Sequence, residues 1–224
     1  TDLGQFDKAK ANYNKAILLN ASYFKAYNNL GFLLAKIKDL DGAIESFKKA
    51  IEIKTDYLEA HHNLGKALRE LGRLEEAIGS YNKAINIKAD YSEAHNDLGI
   101  ALKEIGRPID AMASFNKAIE IRQDYDSAYN NLGVTLEQLG KFEESEKNYR
   151  KAIFINPNFA EAYNNLGIAL KSLGQLSDAR ENFIKAIDLK PDYGNAHYNL
   201  TDLTKFQTKD EHFTKMQNLY LDEN

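Results

Sequence analysis

The residues that most often carry chemistry are few in this chain and poorly spaced for it. His61, His95 and His197 share no His-x-x-x-His spacing, so they read as packing residues rather than metal ligands. His62 reads as a solitary side chain. The run Asp39-Leu-Asp-Gly42 is too short for a calcium loop, and no glycine-rich phosphate loop appears. Without cysteine there is no thiolate nucleophile, thiolate metal site or disulfide framework. No catalytic residue, metal site or cofactor is therefore expected. Asn20-Ala-Ser22 and Asn199-Leu-Thr201 match glycosylation sequons, but nothing in the sequence points to secretion. What remains is the chemistry of amides. The string AYNNLG fills Ala26 to Gly31, Ala128 to Gly133 and Ala162 to Gly167. Asparagine is an indifferent helix former. Its side chain, however, carries a donor and an acceptor, the same pair that a peptide unit presents.

Positioning such amides is the task of a repeat. Ala128 to Ala162 is 34 residues, and Ala26 to Ala128 is three times that. Five complete copies align without a gap over 24–57, 58–91, 92–125, 126–159 and 160–193. Residues 1–23 read as the second half of an earlier copy, and 194–224 begin as a further, degenerate one. Within a copy the fourth position is Tyr27, His61, His95, Tyr129 and Tyr163. The seventh is always leucine, the eighth glycine (Gly31, Gly65, Gly99, Gly133, Gly167) and the eleventh leucine. Spacings of three and four place these on one helical face. Ala43, Ala77, Ala111, Ser145 and Ala179 begin a second series. Aromatics stand four residues later (Phe47, Tyr81, Phe115, Tyr149, Phe183), with alanine three after those. That is a second helix. Gly72, Gly106, Gly140 and Gly174 punctuate the turn between the helices, as a left-handed helix end requires; Lys38 replaces them in the first copy. Pro108 suits the start of a second helix. Asp56 with Glu59, and Asp90 with Glu93, have the spacing of a capping box for the next first helix. The glycine at the eighth position is expected to admit the paired helix, with the small residue opposite filling the gap. One copy cannot bury its seam alone, so the expected fold is all-α, a right-handed superhelical solenoid of antiparallel helix pairs.

The period, the Leu-Gly pair, the alanine–aromatic–alanine series and Pro157 and Pro191 near copy ends resemble the tetratricopeptide repeat. The resemblance covers residues 1 to about 207. It implies a scaffold for protein partners rather than an enzyme. No copy has the lysine at the fifth position and asparagine at the ninth by which chaperone-binding repeats of this family clamp a C-terminal carboxylate.

The sixth position lies about 160° from both the fourth and the eighth, on the far side of the first helix from the packing seam. In the family that side lines the concave wall. The sixth position reads Asn29, Asn63, Asp97, Asn131, Asn165 and Asn199. The fifth, at the edge of the same face, reads Asn28, His62, Asn96, Asn130, Asn164 and Tyr198. The superhelical arm of the O-linked N-acetylglucosamine transferase resembles this column, with asparagine at the matching position. That resemblance implies ligand contacts at Asn29, Asn63, Asn131, Asn165 and Asn199, and the asparagines of the fifth position are candidates beside them. Asp97 departs from the pattern and is expected to face a ligand cation or free donor. Helices spaced by about 8–10 Å and a chain rising about 3.3 Å per residue make six rungs worth on the order of 15 ligand residues.

The formal charge of −4 argues against a strong grip on nucleic acid or anionic lipid. No apolar run approaches a membrane span, and the N-terminus has no signal-peptide core. Both favour a cytoplasmic setting. The missing initiator methionine suggests a fragment. The expected function is to bind a protein or extended peptide in the concave groove. A first alternative is the substrate-recruiting arm of a larger transferase, glycosyl- or sulfotransferase-like, because the tail resembles the segment that joins such repeats to a sulfotransferase-like domain in some bacterial proteins. A second is an end-to-end, self-assembling scaffold, because Phe6, Ala9, Tyr13 and Ala16 lack a first helix to cover them. Phe213, Met216, Leu219 and Tyr220 form an apolar stripe, so 209–221 is expected to fold back as a capping helix.

Overall fold

The computed structural model describes the backbone of residues 2–203 and side chains from Phe6 onward. The expected capping helix at 209–221 lies outside the described residues. Every described element is helical: α1 (Asp2–Leu19), α2 (Phe24–Lys36), α3 (Leu40–Ile53), α4 (Leu58–Glu70), α5 (Leu74–Ile87), α6 (Ser92–Glu104), α7 (Pro108–Ile121), α8 (Asp126–Gln138), α9 (Phe142–Ile155), α10 (Ala160–Ser172) and α11 (Leu176–Leu189). A twelfth helix, α12, is described over 194–203. Among the described residues no helix is long and apolar enough to cross a membrane. The chain divides into two compact units, 1–123 and 124–224. In the first, α2 packs on α3, α4 on α5 and α6 on α7, and each pair stacks on the next. The second repeats this with α8 on α9 and α10 on α11. Each unit is a run of an all-α superhelical array built from 34-residue helix pairs.

The turn inside each pair is set by one left-handed residue. Gly72, Gly106, Gly140 and Gly174 have φ of +72° to +79°, and Lys38 is forced to +65° in the same place. The residue that follows donates its N–H back to the eleventh-position leucine carbonyl. Arg73 reaches Leu68 at 2.9 Å, Arg107 reaches Leu102 at 2.8 Å, and Asp39 reaches Leu34 at 3.0 Å. This closes the carbonyl end of the first helix. Asp39 then caps α3, its carboxylate accepting from Gly42 N–H at 3.1 Å. Pro108 opens α7, as its missing N–H allows.

The core is the glycine and aromatic series. Phe47, Tyr81, Phe115, Tyr149 and Phe183 are all buried, and each ring lies flat against the eighth-position glycine of its own copy. A Cβ built on Gly31, Gly65, Gly99, Gly133 or Gly167 would stand 2.5–2.7 Å from a ring carbon. The gap opened by the glycine is thus filled by the aromatic ring, and not by the small residue assigned to it from sequence. In the second unit Tyr149 shares its core with Leu166 and Leu170 of the next copy, which is how one helix pair buries the seam of another.

The expected capping boxes do not form. The N-cap residues of α4, α6 and α10 are Tyr57, Tyr91 and Phe159, and none makes a side-chain cap bond. Asp56 lies one residue too early, and Glu59 falls on the second helical position instead of the third. The junction glutamates reach the end of the paired second helix instead. Glu93 accepts from Arg122 at 2.7 Å and Glu161 pairs with Lys190 at 3.4 Å. Burial alone would raise the Glu93 carboxyl; its hydrogen bonds, with Ser92 and Arg122 among the donors, outweigh that and hold it below its usual value.

Candidate functional site

The two asparagine columns occupy different depths. Asn28, Asn96, Asn130 and Asn164 of the fifth position are buried, Asn164 to 3 % and Asn96 to 4 %. Asn29 is exposed, and Asn63, Asp97, Asn131, Asn165 and Asn199 of the sixth are half-buried. The fifth position is therefore not the groove edge that a helical wheel suggests. In these copies it lies beneath the sixth and supports it, whereas Tyr198 at the same position of the last copy is exposed.

The support comes from the preceding copy. Asn63 donates from Nδ2 to Asn28 Oδ1 at 3.1 Å. In the second unit Asn165 donates to Asn130 at 3.0 Å and Asn199 to Asn164 at 2.9 Å. All three pairs are 35 residues apart, the sixth position of one copy on the fifth of the copy before. Each bond satisfies a buried carbonyl and fixes the rotamer of a half-exposed amide. For Asn63 it uses one of two amide hydrogens, leaving the other and the side-chain oxygen for a second partner.

His62 and Asp97 are one rung of the same ladder in different chemistry. His62 is buried and its Nε2 lies 2.9 Å from Asp97 Oδ2, again 35 residues away. The Tyr91 hydroxyl stands 2.9 Å from His62 Nδ1. In the neutral ring, Nε2–H donates to the carboxylate and Nδ1 accepts from the phenol, so all three groups are satisfied. Asn96 adds a longer contact to Asp97 Oδ1 at 3.3 Å. His62 is thus not solitary, and Asp97 has internal donors before any ligand cation arrives. The sequence contained the signal: His62 and Asp97, a non-amide in each column, sit 35 residues apart, the offset of the amide rungs.

The other described histidines bind backbone. His61 Nε2 lies 2.9 Å from the Thr55 carbonyl, His95 Nε2 3.0 Å from that of Ala89, and His197 Nε2 2.9 Å from that of Pro191. Each ties a first helix to the turn before it. Among the described residues no three His, Asp or Glu side chains gather as a metal site.

Around the columns, position twelve screens the core ring. In the fourth copy the Tyr149 hydroxyl donates to Glu137 at 3.1 Å. Burial holds the Glu137 carboxyl above its usual value, and the Tyr149 bond only partly offsets this. Burial likewise pushes the Tyr81 and Tyr149 phenols well up, so both stay protonated. Arg69 donates across to Glu104 at 2.9 Å, while burial lowers Lys103 beside them.

A family model described as TPR repeat matches residues 1–38, 34–69, 65–106, 110–140 and 136–174. A second, described as tetratricopeptide repeat, matches 160–193. No curated protein matches the chain. Among solved structures, YrrB, described as a TPR protein with an unusual peptide-binding site, is 24 % identical with a TM-score of 0.65, over 83 % of this chain and 96 % of its own. A MamA protein is 29 % identical with a TM-score of 0.66, over 76 % of this chain and 95 % of its own. The APC/C hetero-tetramer Cut9–Hcn1 gives a TM-score of 0.76 at 14 % identity, over 90 % of this chain but 40 % of that one.

Proposed function

Because the chain belongs to the tetratricopeptide repeat family, whose arrays are scaffolds for protein partners, we propose that it holds an extended peptide segment along the face formed by its first helices. The sixth-position side chains meet the ligand main chain, and the fifth-position side chains orient them. One observation carries this reading: Asn63, Asn165 and Asn199 of the sixth position, half-exposed, are each pinned from below by a buried partner. A merely solvated face has no need of fixed rotamers. Side chains that bond peptide groups recognise an extended backbone with little regard for its sequence. At about 8–10 Å per rung and about 3.3 Å per residue, each rung serves about three ligand residues.

Asn29 gives the clean test, because it is exposed and is not a donor in the ladder. Peptides are selected from a random 12-residue phage-displayed library against the full chain. Asn29→Ala should weaken binding of a share of them about fivefold, the worth of one hydrogen bond of about 1 kcal/mol, with the melting temperature unchanged. Asn165→Ala should weaken others and also lower stability, since it strips Asn130 of its donor. If every selected peptide binds both variants as it binds the parent, the column takes no part in recognition.

A further inference from the structure

The sister copies show what the twelfth position normally does. Arg69 crosses to Glu104, 35 residues on, and Glu137 covers the Tyr149 hydroxyl. In the first complete copy that position is Ala35. Glu70, the residue 35 further on, pairs with Lys38 instead. The volume an arginine fills one copy later is left open, as a cavity of about 190 Å³ between α2 and α4.

The cavity is apolar at its base and positive at its rim. Phe32, Ala35 and Ala67 wall it, and Phe47 forms its floor. Phe47 has no hydroxyl to satisfy, in contrast to Tyr81 and Tyr149 at the same place in their copies. Phe32 is 49 % exposed, a large ring held in solvent, with the Lys36 ammonium 5.0 Å above its face. Lys66 stands on the opposite lip, exposed and without a carboxylate partner among the described residues. Glu70 is neutralised by Lys38. Asn63, whose amide is held by Asn28, lies on the same wall.

We propose that this cavity is the specificity pocket of the first unit, taking one apolar side chain of an extended ligand that carries an aspartate or glutamate beside it. The proposal rests on the groove reading above. Asn63 holds the ligand main chain at the pocket mouth, the side chain enters between Phe32 and Ala35, and Lys36 and Lys66 meet the neighbouring carboxylate. The size suits leucine, methionine or phenylalanine, since an apolar cavity of about 150 Å³ already accepts benzene. The amide ladder alone is indifferent to ligand sequence, so this break in the repeat is what selects a partner.

Ala35→Arg tests it with a residue the fold already accommodates one copy later, at the same offset from Glu70 as Arg69 has from Glu104. Ala35→Met fills the same space without charge, should the arginine disturb folding. The phage library is selected on the full chain and on both variants, and selected peptides are synthesised for titration. The expected result is a parent pool sharing one apolar position flanked by an acid. Replacing that apolar residue by alanine should weaken binding about tenfold or more. Both Ala35 variants should lose the apolar preference, and Lys66→Gln should lose the acidic one alone. A parent pool with no apolar position, or one kept unchanged by both Ala35 variants, overturns the pocket and leaves the groove standing. Peptides that ignore the Asn29 and Asn165 substitutions overturn the groove reading, and the pocket with it.

Discussion

An asparagine amide has two ends, and in this chain the two ends answer to different partners. Asn63, Asn165 and Asn199 each spend one hydrogen on the copy before them, and Asn63 keeps the rest of its amide for a second partner. His62 and Asp97 preserve that bond with the chemistry exchanged, an imidazole donor below and a carboxylate acceptor above. His62→Ala should therefore cost about 2 kcal/mol, because it leaves a half-buried carboxylate without its main donor. Asp97→Ala should cost less, since His62 keeps the Tyr91 hydroxyl. A double-mutant cycle followed by urea unfolding should give a coupling of about 1–2 kcal/mol, and the double change His62→Asn with Asp97→Asn should recover most of the parent stability. Additive single effects would show the pair to be incidental.

At the scale of the helix, the decisive contact is a glycine against a ring. The period, the helix pairing and the turn glycines were legible in the sequence because each rests on local spacing, which a single chain displays. What filled the gap beside the eighth-position glycine was not legible, because spacing identifies a face but not the depth to which a neighbour penetrates it. The capping boxes failed for a related reason: a one-residue shift of the helix start changes which side chain can reach back, and composition at a junction is blind to that shift. The site was half legible. A helical wheel separates the sixth position from the seam, but it cannot show that the fifth is covered by the next copy. Gly133→Ala tests the contact. Its methyl would meet the Tyr149 ring at 2.6 Å, and the ring is locked by Leu166 and Leu170 behind it. The expected loss is about 1–3 kcal/mol, visible as a lower melting temperature. Pairing the change with Tyr149→Leu should restore part of it. An unchanged melting temperature for the single variant would mean that the aromatic can move aside freely.

At the scale of the whole molecule, the same contact decides whether copies join end to end. α1 is a second helix whose Phe6, Ala9, Tyr13 and Ala16 are only half-buried, and Leu18 behind them is 85 % exposed. α12 is a first helix. A dimer that completed one repeat from these two halves would set Tyr13 of one molecule against Thr201 of another, the aromatic and eighth positions of the copy. In every complete copy even a bare Cβ at that point would come within 2.7 Å of the ring, and threonine adds two further atoms. The last copy has in fact lost both members of the pair. Gln217 stands 16 residues after Thr201, where Phe47 stands 16 after Gly31 and Phe183 stands 16 after Gly167. Thr201 on α12 thus stands where only glycine lets a ring approach, and obstructs the α1 ring of a neighbour. Light scattering over a dilution series should therefore report the mass of a monomer throughout. Thr201→Gly removes the obstruction and should shift the population towards concentration-dependent association, abolished again by Tyr13→Ala. A parent chain that associates through Tyr13 with Thr201 intact would show that the two halves can be joined in some other register, and would favour the self-assembling scaffold.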